Sequence, residues 1–125
     1  MMDKIPTAIV IDDDKDVLDL FAEYLKIIQV EVVGKGHNGK KAVELYQEKN
    51  PDITFVDLVM PEYDGIFALQ NIRKINPKAN VIIITGNLQK DTSKKLDYLN
   101  PNKILQKPFE VDKVIEAVNE IKNSK

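Results

Sequence analysis

The stretch Ile53-Thr54-Phe55-Val56-Asp57 constrains the fold of this chain more than any other. Strand-forming, mostly apolar residues run directly into a carboxylate, and Leu58 to Gly65 then reads as a loop closed by turn residues. A short continuous apolar run suits a strand buried on both faces, as in a parallel sheet. A carboxylate at the carboxyl end of such a strand sits at the edge where α/β folds place their chemistry. Asp57 is therefore the first candidate functional residue.

The rest of the sequence repeats that grammar. Ala8–Ile11, Glu31–Gly34, Val81–Ile84 and Lys103–Gln106 read as four further short strands, and Val81–Ile84 is the most β-branched of them. Between them lie stretches with helical spacing of apolar residues. The first helix is expected over about 15–28, capped by Asp14, with Val17, Leu18, Phe21, Leu25 and Ile28 on one stripe. The second is expected over about 40–48, with Ala42, Val43, Leu45 and Tyr46 inward, after a loop at Gly36-His37-Asn38-Gly39. The third covers about 65–75, with Ile66, Leu69, Ile72 and Phe67 on its apolar side. The fourth, about 90–99, is polar and carries little stripe. The fifth, about 111–122, places Val114, Ile115, Val118 and Ile121 on one side. Asn50-Pro51 and Asn76-Pro77 stop the second and third helices. Five alternations of strand and helix imply an α/β fold, with a parallel sheet covered by helices on both faces. Right-handed crossovers then bring every carboxyl end to one edge.

With 125 residues and 43% apolar content, residues 1–125 are expected to form one domain with a core that needs neither disulfide nor structural metal. No cysteine is present, which rules out thiolate metal sites and fits a reducing, cytoplasmic location. Met1-Met2-Asp3-Lys4 starts no signal-peptide apolar region, and no apolar run approaches a membrane span. A net charge of −2 gives no bulk attraction to nucleic acid or anionic lipid, so neither is expected as a partner.

Four of the five strands deliver a polar residue to the common edge. The first gives Asp12 and Asp13, the third Asp57, the fourth Thr85 and the fifth Lys107. Carboxylates brought together repel, and either raise a pKa or take up a cation. Hard oxygen donors suit Mg²⁺. A lysine balances a phosphoryl anion, a threonine hydroxyl donates to its oxygens, and an aspartate can act as a covalent nucleophile. Phosphoryl transfer asks for positioning and charge neutralisation of this kind. Taken singly, each residue has a plainer reading. The acidic run 12–14 complements a helix dipole, Thr85 bonds to backbone, and Lys107 and the pairs Lys40-Lys41 and Lys94-Lys95 are solvated charges. His37, the only histidine, has no partner at a metal-ligand spacing and reads as a solvated loop residue.

Taken together, five segments carry a specific pattern. They are Ile9 to Asp14, Asn38 to Val43, Asp57 to Pro61 with Asp64-Gly65, Ile84-Thr85-Gly86, and Lys107-Pro108-Phe109. This pattern resembles the receiver domain of two-component response regulators, of the stand-alone type, over nearly the whole chain. The resemblance implies a doubly wound, flavodoxin-like sheet of strand order 2-1-3-4-5 with five helices. It implies that Asp57 accepts a phosphoryl group from a sensor histidine kinase or a phosphotransfer protein. It implies that Mg²⁺ or Mn²⁺ is held by Asp13 directly, by Asp12 partly through water, by Asp57 and by the backbone carbonyl of Val59. Thr85 and Lys107 then bind the phosphoryl oxygens, and the Lys107–Pro108 bond is cis. The chain is expected to act as a signalling domain rather than an enzyme, assisting only its own phosphorylation and slow dephosphorylation. With little sequence after the fifth helix, its output is expected to reach a separate downstream protein through the side formed by helix 4, strand 5 and helix 5.

Two positions depart from the family pattern. Ile104 stands where an aromatic ring usually turns inward, and Gly86 where alanine usually follows the threonine. A glycine there is expected to open space by the site and loosen the following loop. The alternative of a phosphate-independent interaction module is disfavoured because the acceptor, the acidic pair and the lysine are all retained. A dehalogenase-type phosphatase needs a second aspartate two residues past the nucleophile, and that position is Val59.

Overall fold

The computed structural model describes residues 4–86 and 90–123. The elements alternate as β1 (Thr7–Ile11), α1 (Lys15–Ile27), β2 (Glu31–Gly36), α2 (Gly39–Lys49), β3 (Ile53–Asp57), α3 (Gly65–Ile75), β4 (Val81–Thr85), α4 (Lys90–Leu99), β5 (Lys103–Gln106) and α5 (Val111–Asn123). All strand pairs are parallel, in the order β2-β1-β3-β4-β5. The doubly wound α/β fold expected from the sequence is the fold observed.

The alternation of side chains along the strands builds two cores. Ile9, Ile11, Val56, Val81 and Ile83 face one layer, where α2, α3 and α4 pack with Leu45, Leu69, Ile72 and Leu96. Val10, Phe55, Ile82, Ile84 and Leu105 face the other, covered by α1 and α5 with Phe21, Leu25, Val114 and Val118. Every residue of β3 and β4 is buried, which is why those two runs read as continuously apolar. Phe55 is fully buried and contributes about 2–3 kcal/mol of transfer free energy.

Short polar residues fix where the helices begin. Asp14 caps α1 by accepting from the amides of Asp16 and Val17, Asn38 caps α2 through Lys41, and Asp64 caps α3 through Phe67. Asn50 ends α2 in a left-handed conformation at φ 46°.

Three details differ from the sequence reading. Strand β2 runs on through Lys35 to Gly36, because Gly36 pairs with Ile11 and its carbonyl accepts from the amide of Asp12. The glycine that looked like loop punctuation is a strand end. On α5, Ile115 is 36% exposed and Ala117 lies inward in its place, since the stripe follows 114, 117, 118 and 121 at 3.6-residue spacing. Helix α4 carries more anchorage than its polar sequence implies, as Leu96 is fully buried and Leu99 packs on the same core.

Among the described residues, Thr54 is the one awkward residue in this interior. Its hydroxyl is buried without a hydrogen-bond partner, between Ile9 and Val81 in register. Thr54→Val should therefore raise stability, by about 1 kcal/mol, because an unpaired polar group is removed at nearly constant shape. Urea titration should show a higher midpoint with an unchanged slope, and a lower midpoint would contradict the reading.

Candidate functional site

Strands β1, β3, β4 and β5 end side by side, so their terminal residues converge. Asp12 and Asp57 are buried at the floor, with Asp13 exposed above them. One carboxylate oxygen from each of Asp12, Asp13 and Asp57 lies within 4.8 Å of the others, a set of hard donors that can hold a metal ion. The Nζ of Lys107 donates to Asp12 Oδ2 at 3.0 Å and to Asp57 Oδ2 at 3.3 Å. One ammonium thus faces three carboxylates, and two negative charges remain unbalanced.

The electrostatics follow from that count. Burial raises the Asp57 carboxyl above its ordinary pKa; the ammonium of Lys107 pulls it down and the charges of Asp12 and Asp13 push it up again. Burial by itself would lower the Lys107 ammonium, but the hydrogen bond to Asp12 and the charge of Asp57 outweigh it and hold it above its ordinary value. The lysine is accordingly a permanent cation in the pocket.

Local structure holds each group in place. Asp12 Oδ1 accepts from the amide of Asp14, which orients the carboxylate. Beyond Asp57 the pairing to β4 continues through the Leu58 amide and the Ile84 carbonyl. The chain then returns so closely that a Cβ on Gly65 would stand 2.7 Å from the Asp57 carbonyl oxygen, so only glycine fits there. Lys107 is set by its neighbours on both sides. Its amide donates to the Thr85 carbonyl at 2.8 Å, the following Pro108 bond is cis, and Phe109 packs edge-on to Phe21 at 4.9 Å. Thr85 itself is fully buried at the end of β4. Val59 sits in the loop two residues past Asp57 with its side chain 68% exposed, and His37 is exposed as expected. Beside the lysine, a cavity of about 470 Å³ opens between α1 and the segment after β5, lined by Val17, Leu20, Phe21 and Phe109. Leu20 was outside the expected stripe of α1, and nothing in its spacing signalled this cavity.

The two departures from the family pattern resolve differently. Ile104 is half-buried against the α2–α4 core, opposite Ile83. Among the described residues, a Cβ on Gly86 would meet only Lys107 Cβ, at 3.9 Å, and its φ is not positive. Gly86→Ala should thus stabilise the protein by about 0.4–1 kcal/mol through the unfolded chain. A thermal melt showing loss of stability would mean that the position needs its glycine.

This fold with this acidic edge defines a class, the phosphoacceptor-type signalling domains. The family model for the response regulator receiver domain matches residues 8–119, and the chain belongs to that family. Chemotaxis protein CheY of Bacillus subtilis is 33% identical over 115 residues, covering 92% of this chain and 96% of that one. CheY of Thermotoga maritima is 32% identical over 113 residues, covering 90% and 94%. Among solved structures, the receiver domain of the Francisella response regulator 1452 matches with a TM-score of 0.83 at 28% identity, over 95% of this chain and 98% of that one. The family is one of signalling rather than catalytic domains. No helix among the described residues is long and apolar enough to cross a membrane.

Proposed function

We propose that this chain is a phosphorelay receiver acting in the cytoplasm, and that Asp57 is its phosphoacceptor. The observation that carries the reading is the bridge from Lys107 to Asp12 and Asp57, within a cluster of three carboxylates at the sheet edge. The donor is a phosphohistidine of a sensor kinase or phosphotransfer protein. A carboxylate oxygen of Asp57 attacks phosphorus, an O–P bond forms, the N–P bond breaks, and its electron pair stays on the imidazole. Asp12, Asp13 and Asp57 with the Val59 carbonyl would hold Mg²⁺ or Mn²⁺, which when bound would neutralise phosphoryl oxygens. Lys107 and the Thr85 hydroxyl hold the remaining oxygens. The same groups support slow self-dephosphorylation. Because the Lys107 amide bonds to the Thr85 carbonyl, a pull on either strand end is shared by β4 and β5. That supports signal output to a separate protein through the α4–β5–α5 side, by loop and helix movement, since Ile104 carries no ring to turn.

Incubation with a small phosphodonor and Mg²⁺, followed by intact mass and peptide mapping, tests the reading. One phosphoryl adduct on the peptide carrying Asp57 is expected. No adduct would favour the phosphate-independent module. The metal ligands have their own readout. Mg²⁺ should raise the melting temperature of the wild type by mass action on the folded state, and Asp13→Asn should lose most of that rise. An equal rise in both would move the metal elsewhere.

A further inference from the structure

The net charge of −2 conceals a strong polarity along the chain. Residues 65–109 contain eight Lys and Arg against two Asp and Glu, whereas residues 4–64 contain seven against thirteen. The basic excess lies largely at the end of α3 and on α4, where Lys74, Lys78, Lys94 and Lys95 are all exposed. Among the described residues none of these four is paired with a carboxylate. Elsewhere several surface lysines are paired: Lys35 with Asp19, Lys41 with Glu44, Lys49 with Glu48, and Lys103 with Glu116 and Glu120. Unopposed like charges raise the local potential and attract an anionic partner.

The same place is concave. A cleft of about 640 Å³ lies between α3 and α4, lined by Gln70, Arg73, Lys74, Pro77, Tyr98 and Leu99. Arg73 forms its floor, with its guanidinium committed to the carbonyls of Ala79, Leu99 and Asn100 and to Asn102. The free charge in the lining is therefore Lys74, and Lys94 and Lys95 lie one turn before Tyr98 and Leu99 on α4. Tyr98 is 88% exposed and shares a helix face with Lys94 and Lys95, four and three residues before it. A rigid aromatic ring held in water among lysines has the composition of an interface anchor, not of a solvated helix face.

We propose that this cleft docks an acidic segment of another protein. An apolar side chain of that segment packs between Tyr98 and Pro77, and its carboxylates pair with Lys74, Lys94 and Lys95. Nucleic acid fits less well, because a duplex extends past the cleft and meets the acidic half of the molecule. A second copy of this chain could offer that acidic half, but such a contact joins two different surfaces and would propagate as an open chain rather than close. The site adjoins the proposed output side through α4, yet its argument needs no phosphorylation.

Fluorescence anisotropy with the 125-residue chain decides the matter, using a short dye-labelled peptide of glutamate interspersed with leucine. Wild type should bind it, with affinity falling as salt rises. Lys74→Glu combined with Lys95→Glu should weaken binding by about tenfold or more, and Tyr98→Ala by about fivefold. A peptide of glutamate and glycine should bind about fivefold more weakly than the leucine-containing one. Lys40→Glu combined with Lys41→Glu, on α2, should leave the affinity unchanged. All these side chains are exposed, and unchanged circular dichroism melts confirm that each variant folds. Equal losses in the α2 control, or none in the α3–α4 variant, would overturn the proposal. So would tighter binding of a labelled DNA duplex than of the peptide. Self-association in sedimentation velocity that the α3–α4 substitutions abolish would assign the cleft to a second copy instead.

Discussion

Asp57→Asn should take up no phosphoryl group and should be more stable than the wild type at neutral pH. The first effect follows if Asp57 is the nucleophile, since an amide nitrogen cannot replace the attacking carboxylate oxygen. The second follows from the charge count. Asp57 is 6% exposed beside Asp12 and Asp13, and burial together with the two like charges outweighs Lys107, so its folded-state pKa lies above the unfolded one. An ionised Asp57 therefore opposes folding. That penalty is absent below the unfolded pKa, grows as pH rises through the folded pKa, and is fully present above it. Asparagine keeps the shape and removes the charge, while Lys107 keeps Asp12 at 3.0 Å. The expected gain is about 1–2 kcal/mol at neutral pH, from relief of close like-charge repulsion. It should shrink as the wild type is acidified through the folded pKa of Asp57. Urea midpoints at neutral and mildly acidic pH measure both parts. A variant that is less stable at neutral pH, or whose advantage grows in acid, would show that the pocket is not strained by its charges.

What could be read from the sequence was whatever short-range pattern encodes. Strands β3 and β4 were legible because burial on both faces leaves an uninterrupted apolar run, and such a run has few other uses. The candidate site was legible because parallel topology turns five separate strand ends into one edge, so Asp12, Asp57, Thr85 and Lys107 could be brought together without coordinates. Features set by pairing with a distant partner were not legible. The last two residues of β2 join the sheet only because β1 offers Ile11, and a Gly-Lys-Gly sequence carries no sign of that. Leu96 is one apolar residue in a polar helix, too few for a stripe, yet it meets a complete core. The basic cleft was hidden differently: its lysines were visible, but net charge averages a polar molecule to near neutrality.

The least legible element is Arg73, and its removal should have the largest structural effect. Arg73→Ala should cost about 2–4 kcal/mol. The side chain donates to the Ala79 carbonyl at 2.9 Å, the Leu99 carbonyl at 3.4 Å, the Asn100 carbonyl at 3.1 Å and Asn102 Oδ1 at 2.9 Å. It thereby ties α3 to the carboxyl end of α4 and to the turn before β5. Asn102 passes the restraint on, because its Oδ1 also accepts from the Val81 amide and its Nδ2 donates to Asn80. Alanine would leave several carbonyls without a charged donor, one of them on a buried residue, Ala79. Lysine should not rescue the loss, since a single ammonium cannot match the planar fork that reaches carbonyls on two sides. Amide exchange should locate the damage at Val81, Asn100 and Asn102, while β1 and α1 stay protected. Phosphoryl uptake should persist in the folded fraction, because the Asp57 pocket lies at the opposite, carboxyl edge of the sheet. If Arg73→Lys proved as stable as wild type, the clamp would be reduced to a simple surface charge. Increased exchange confined to the Asp57 edge would likewise show that Arg73 does not fix the end of α4.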